Sequence, residues 1–575
     1  MRHRVIGRAF FQICKLLLFT FCTSLAMPPH PDLSRQANSK DGTSPQDLLR
    51  QTGLHKRGID VPTYHAVNSL DQKGTAPLGQ FKPLVLLVDF ADNDFQVDPV
   101  YFDDLIFSPG SGSVRDYYRE VSYQDLDIVP LNFPSDVGWV RAPETYQYYA
   151  NYQYGLGYYP NNSQRLVEDV ADLVDSAVDL SQYDSDSDGF VDCVIIIHAG
   201  TGAEFNGDPN DVWSHKWSLP YPFKLSNDGV AIKDYTIQPE YWQEPGDMTI
   251  GVFCHELGHI FGLPDLYDID GDSKGLGQWS LMAHGAWNGN LGSSPAHPDA
   301  WSRIQLGFAQ PVSVSDNILE AAVPPVEQID AIYRLWTHGE WGSEYFLVEN
   351  RQRSGYDAYL PSSGLLIWHV DENESYNTNQ WYPGCTCYGH YKVALKQADG
   401  MWQLEKNINY GDSGDPYPGS SANSSFDGLS CPNSNDYQNQ ETHVAVEYIS
   451  STSGVVTCDF LIKPMDLGPE TQEGSPDHVT LGQNYPNPFN STTLLPFTVH
   501  SSESTENEPV HTALTIYNIL GQRVKVLVDG YRFSGQYVAV WDGKDDEETE
   551  LPAGLYLYRL RTGVCQQTKR MVLLK

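Results

Sequence analysis

The stretch FCHELGHIFGLPDLYD, residues 253–268, carries residue types that do metal chemistry, at spacings that let them act together. On a helix over 249–261, His255 and His259 stand one turn apart on one face, so both imidazoles reach one ion. Glu256 points round the helix from them, which suits a base acting on water better than a third ligand. Gly262 fits the position after a helix end, and Pro264 forbids continuation. The chain therefore bends back, and Asp265 comes within reach of the same ion.

The pentapeptide H-E-x-x-H also arises by chance on buried helices; the flanks decide. Gly262 and Asp265 complete H-E-x-x-H-x-x-G-x-x-D, the metzincin layout with aspartate in place of a third histidine. Downstream, GLGQWSLMAHG supplies Met282 for the methionine turn that underlies such a site. The rival layout takes a later glutamate as its ligand, but none occurs between Glu256 and Glu320. Three protein ligands leave a fourth position for water, as catalytic zinc requires. The chemistry expected is hydrolysis of peptide bonds, with Glu256 moving the proton from water to the leaving amine. His284, two residues beyond Met282, is either an auxiliary group for the metal or oxyanion or a polar turn residue.

These residues need a frame. PLVLLVDF (83–90) and CVIIIHAG (193–200) read as buried strands, and SQRLVEDVADLVDSAVDL between them has apolar residues at helical spacing. With the histidine helix they make an α/β unit. After Gly307 the text turns β-rich, with EYFLVENRQ and GLLIWHVDE as strands, to about Ile462. The fold expected is multidomain α+β. A catalytic α/β domain spans 78–310, a β-rich extension 311–463, a Pro- and Gly-containing linker 464–478, and a C-terminal β-sandwich 479–575.

The N-terminus, with Arg2, Arg4, Arg8 and Lys15 before an apolar run and small Ser24 and Ala26, is a secretory signal over 1–26. Residues 27–77 read as a propeptide or leader, with HKRG (55–58) suited to proteolytic trimming. No cysteine lies between Cys22 and Cys193, so a cysteine latch on the metal is excluded. No later segment has 18 consecutive apolar residues, so no membrane span is expected in the mature chain.

With 36 basic and 74 acidic residues the chain carries −38, which argues against nucleic-acid binding and suits cation binding. DSDSDGFVD offers Asp184, Asp186 and Asp188, the Phe190 carbonyl and Asp192 at positions 1, 3, 5, 7 and 9 of a calcium loop. Position 12 is Ile195 rather than a bidentate glutamate. Asp268, Asp270 and Asp272 offer either a further cation site or a solvated loop. Of nine cysteines, Cys385 and Cys387 are candidates to bridge to Cys431 or Cys458. His369 and Asp371 fall on one side of a strand and are read as a polar or hydrogen-bonded pair. The Trp and Tyr residues of DVWSHKW and PEYWQE either line a substrate cleft or fill a large core, and the core is the assignment favoured.

HELGHIFGLPDLYD, GLGQWSLMAHGAWNG, HPDAWSRIQLGF, YDSDSDGFVDCVIIIHAGTGAE and GYDAYLPSSGLLIWHVDE together resemble the immune inhibitor A family of secreted metallopeptidases. The resemblance implies a zincin-like core, zinc on His255, His259 and Asp265, and Glu256 as the catalytic residue. His284 stands where a small residue is expected. LGQNYPNPFNSTT, IYNILGQRV and GLYLYRL…KRMVLLK resemble the sorting domains of type IX secretion in Gram-negative bacteria. The reading is thus an exported zinc endopeptidase acting as a monomer on protein or peptide substrates. The competing reading is a non-catalytic surface adhesin on the same scaffold.

Overall fold

PLVLLVDF and CVIIIHAG, apolar without alternation, become the middle of a six-stranded sheet, because only a strand covered on both faces favours such a run. The protein is described by a computed structural model covering residues 25–32, 78–463 (less 222–223 and 386–387) and 479–574 (less 483, 491, 500–508, 519–521, 548 and 563–564). The signal peptide lies outside these residues apart from Leu25 and Ala26. So do the leader beyond Asp32, the linker 464–478, Cys387 and the side chain of Cys565.

In chain order the sheet and its helices are β1 (Leu25–Ala26), β2 (Leu84–Asp89), β3 (Trp139–Arg141), α1 (Ser163–Val174), β4 (Val194–His198), β5 (His215–Ser218), β6 (Asp234–Pro239) and α2 (Gly251–Ile260). The strand order is β1-β5-β6-β4-β2-β3. β2 runs parallel to β3 and β4, and β4 parallel to β6. At the other edge β5 is antiparallel to β6, and β1 is antiparallel to β5. Alternation along the strands feeds two cores. Val85, Leu87, Ile195 and Ile197 meet Val252, Phe253 and Leu257 of α2 on one face. Leu84, Leu86, Val194 and Ile196 meet Leu166, Val167 and Val170 of α1 on the other. Asn162 caps α1 by accepting from the Arg165 amide at 3.2 Å.

No seam in packing separates 78–310 from 311–463. Leu347, Leu366, Trp368, Val393 and Leu395, from strands 344–351, 364–371 and 393–395, share the α2-side core with Trp279, Leu281 and Trp301. Those strands belong to a five-stranded sheet whose other face forms a further core with strands 318–323, 445–452 and 455–461. Trp213 and Trp242 are buried in core clusters.

The chain divides into two compact units, Met1–Met465 and Asp466–Lys575. In the second, a three-stranded sheet (479–481, 493–499, 535–541) and a four-stranded sheet (510–518, 523–532, 554–562, 565–573) contribute to one core around Leu495, Trp541, Leu514, Tyr558 and Met571. The whole is a mixed α and β architecture of several sheets. Among the described residues no helix is long and apolar enough to cross a membrane.

Two local expectations are corrected. Cys385 is disulfide-bonded while Cys431 and Cys458 are free thiols, so neither bridge weighed from the sequence forms. His369 and Asp371 do not pair with each other. His369 Nε2 lies 2.8 Å from Glu344 and Asp371 lies 2.9 Å from His390 Nε2, because each side chain is met by an acid or imidazole from a neighbouring segment.

Candidate metal centre

α2 is apolar almost all round, and its residues 251–259 are all buried, so His255, Glu256 and His259 are carried into the interior by the hydrophobic residues beside them. The helix ends at Gly262, whose φ of +93° is costly for a side chain with a Cβ. The Leu263 amide then donates to the Gly258 carbonyl at 3.0 Å, and the reversal delivers Asp265 to the imidazoles.

The atoms His255 Nε2, His259 Nε2 and Asp265 Oδ1 form a nearly equilateral triangle, 3.1 Å between the nitrogens and 3.2 Å from each to the oxygen. The protonation of the rings follows from their other nitrogens. His255 Nδ1 is 2.9 Å from the Leu281 carbonyl and His259 Nδ1 2.8 Å from the Leu263 carbonyl. A carbonyl only accepts, so each Nδ1 carries the hydrogen, and in the neutral ring each Nε2 is then a bare lone pair. Two lone pairs and a carboxylate oxygen at such distances repel unless a cation lies among them. The triangle fits one: ligands about 2.0–2.1 Å from a tetrahedral zinc stand about 3.3 Å apart. Asp265 Oδ1 also has no hydrogen-bond donor among the described residues.

Burial pushes the Asp265 carboxyl upward, but the flanking imidazoles, whenever they carry a proton on Nε2, outweigh it and hold it below the usual carboxylate range. Burial lowers His259. Glu256, fully buried, is raised well above its usual value by loss of water, then by the negative charges of Asp265 and Glu204. The amides of Met27 and Lys216 face its carboxylate closely enough to offset part of this, but neither oxygen gains a partner of hydrogen-bonding geometry.

Met282 lies beneath the helix. A Cβ on Gly258 would stand 2.6 Å from its Sδ, so the glycine between the two histidines is what lets the methionine approach. The Met282 carbonyl accepts from the Leu266 amide at 2.8 Å, tying this turn to the segment that carries Asp265. His284 is buried with its ring 4.4 Å from that of Tyr410, and its Nδ1 has no partner among the described residues.

Some contributors had no sequence signal. The Tyr267 hydroxyl hydrogen-bonds the Asp265 carboxylate. From the extension, the buried Arg351 donates to the carbonyls of Trp279 at 3.4 Å and His297 at 3.3 Å, and Asp357 grips both Arg351 and the His297 amide. The His297 carbonyl also accepts from Leu281, whose own carbonyl orients His255. Residues 25–32, read from sequence as the end of the signal and start of the leader, line this centre. β1 adds to the edge strand β5, and the Met27 amide donates to Ser214 O at 3.2 Å. The edge strand's unpaired backbone groups explain the docking.

Asp184, Asp186 and Asp188 are also brought together, with ligand atoms within 4.8 Å of one another, as are Asp268, Asp270 and Asp272. In the first cluster the carboxylates accept from the loop's own amides: Asp184 from Asp188 and Gly189, Asp188 from Phe190. Asp192 accepts from the Ser185 amide at 3.2 Å.

The resemblance read from the sequence holds for the segment that carries this centre. Residues 89–310 match the family described as immune inhibitor A peptidase M6, catalytic domain. Immune inhibitor A of Bacillus thuringiensis subsp. alesti is 31% identical over 301 residues, 42% of this chain and 42% of that protein. The pre-pro-metalloprotease PrtV of Vibrio cholerae serotype O1 is 29% identical over 283 residues, 40% of this chain and 29% of that protein. The match thus spans less than half the length of either relative. Among solved structures, OgpA from Akkermansia muciniphila aligns with 89% of this chain and 96% of its own at 11% identity, with a TM-score of 0.20, too low to carry an argument.

Proposed function

We propose that the peptidase M6 domain at residues 89–310 makes this chain a zinc-dependent endopeptidase, with His255, His259 and Asp265 holding the ion and Glu256 serving as general base. The carrying observation is the triangle of bare acceptor atoms, 3.1 and 3.2 Å on its sides, buried beside a carboxylate that has no partner. A bound zinc supplies polarisation of the peptide carbonyl and acidifies a water. The chain's own residues do the rest. Glu256, its affinity for protons raised by burial, accepts the proton of the attacking water and returns it to the departing amide nitrogen. Leu281 and Leu263 fix the tautomers, and Tyr267 orients the Asp265 carboxylate. Met282 shapes the floor, and the neutral ring of His284 is assigned to the oxyanion side.

Leu25 to Met27 run along β5, with the Met27 amide facing Glu256, so the chain carrying this segment is read as a latent zymogen whose leader must leave before substrate enters. The loop at Asp184, Asp186, Asp188, Phe190 and Asp192 is read as a calcium loop that pins β4. The C-terminal unit is read as a β-sandwich sorting domain recognised by type IX secretion machinery, which with the signal peptide places the protein outside a Gram-negative cell, as a monomer. The adhesin reading is the weaker one, because a binder has no use for a buried, partnerless Glu256. Casein cleavage that disappears on zinc chelation and returns on zinc addition tests the enzyme reading. Absence of metal-dependent cleavage would favour the adhesin.

A further inference from the structure

Residues 27–30 are held mostly as a peptide backbone. The Met27 carbonyl accepts from Trp213 Nε1 at 2.8 Å, the Pro28 carbonyl accepts from Trp287 Nε1 at 2.9 Å, and the His30 amide donates to the Glu204 carbonyl at 2.8 Å. Any extended peptide can make the same three bonds. The His30 ring adds a contact that depends on side-chain type. It meets Trp287 edge-on, with centroids 4.8 Å apart at 86°, and Phe205 at 5.2 Å and 54°. Those two rings are braced by Trp242, 4.9 Å from Trp287 and 6.0 Å from Phe205. Trp242 is itself buried, with its indole N–H 3.3 Å from Thr249 Oγ1 at the start of α2. The wall is therefore built into the scaffold that carries the metal centre.

We propose that Phe205, Trp242 and Trp287 form a substrate subsite selecting a planar ring at the fourth residue past the scissile bond. This rests on the endopeptidase reading above. The register follows from Glu256. The nitrogen to which it returns a proton is the first backbone atom on the leaving side, and of the docked segment the amide that faces its carboxylate, beside that of Lys216 from β5, is that of Met27. Met27 thus stands where the first leaving-side residue would lie, and His30 is the fourth. The antiparallel ladder continues to Met27, whose amide donates to Ser214 O, and this fixes the direction of the segment; a substrate pairing with the same edge in the same direction brings its fourth side chain to the same wall. Edge-on and tilted contacts favour aromatic rings and imidazole over an aliphatic chain of equal area, because ring edges are positive and ring faces negative.

The test uses the zinc-loaded full-length protein, trimmed with trypsin for increasing times, with the trypsin blocked by a serine-protease inhibitor at each stage before casein cleavage is measured and the first active stage carried forward. Peptides identical except for His, Phe, Tyr, Leu or Ala at the fourth leaving-side residue are compared by kcat/KM, with the cleaved bond mapped by mass spectrometry. The ring-bearing peptides are expected to exceed the Leu peptide by about 2- to 13-fold. Trp287→Ala should bring that ratio close to one. The ratio between peptides is the readout, since a general loss of fold lowers every rate together. If Trp287→Ala does not accumulate, Phe205→Leu, at a partly exposed ring, should narrow the ratio in the same direction. Equal cleavage of all five peptides by the wild type, or a ring preference at another position, overturns the subsite while leaving the endopeptidase reading intact. Casein untouched at every stage of trimming overturns that reading and the subsite with it.

Discussion

Two trios of metal-capable side chains in this molecule both gather within 4.8 Å and are physically opposite. His255, His259 and Asp265 are all buried, whereas Asp184 is half-buried and Asp186 and Asp188 are exposed. In the first, orientation is imposed from outside by the carbonyls of Leu281 and Leu263, and the inward atoms are left without donors. In the second, the carboxylates bond amides of their own loop, so the loop is largely satisfied as it stands. The contrast teaches that closeness of acidic or imidazole groups is weak information. What distinguishes a site is preorganised, unsatisfied acceptors that water cannot reach.

The largest expected effect breaks the first trio. Asp265→Ala should abolish zinc retention and with it all cleavage, while Asp186→Ala, in the second trio, should leave zinc content unchanged, both read by metal analysis of the purified chains. Next, Glu256→Gln should keep zinc bound and lower turnover by about 10²- to 10⁴-fold, the usual contribution of a positioned general base.

The comparison is sharpened by two buried imidazoles that face no metal-ligand triangle. Burial holds His198 and His215 down to about 4. In the unfolded chain each titrates near 6.5, so the unfolded state takes up protons that the folded state refuses as pH falls from about 6.5 to about 4. Stability is therefore lost across that window, by about 3 kcal/mol for each histidine at its acid end. Urea unfolding at pH 7 and pH 4.5 measures this, and His198→Gln should remove part of the acid sensitivity.

A smaller effect is expected at Gly258→Ala, where the added Cβ meets Met282 Sδ at 2.6 Å. Overpacking should cost about 1–3 kcal/mol in unfolding and weaken zinc binding by shifting the methionine turn. The smallest concerns the exposed trio. A calcium chelator that spares zinc should lower the melting temperature by a few degrees, roughly the equivalent of 1 kcal/mol. No change would remove calcium from the account of that loop.

Much of the geometry of the candidate centre was legible because its parts are local. His255, Glu256 and His259 share one helix, and Gly262 and Pro264 announce the bend that brings Asp265 round. Apolar runs without alternation likewise marked β2 and β4 as central strands. The contributions of Arg351 and Asp357 were not legible, because they reach the methionine turn from a different sheet through backbone carbonyls, which any sequence supplies. Nor was the partner of His369, since a strand pattern gives the face a side chain shares and not what the neighbouring strand places opposite it. The docking of residues 25–32 was hidden for a related reason: pairing with an edge strand uses main-chain groups and leaves little trace in residue type.

The central claim is that three buried acceptors converge on one zinc ion. Anomalous diffraction at the zinc absorption edge, on crystals of the full-length protein grown with zinc, tests it most directly. The account predicts a single strong peak about 2.0–2.1 Å from His255 Nε2, His259 Nε2 and an Asp265 carboxylate oxygen. A peak that excludes Asp265, or none at this position, would contradict it.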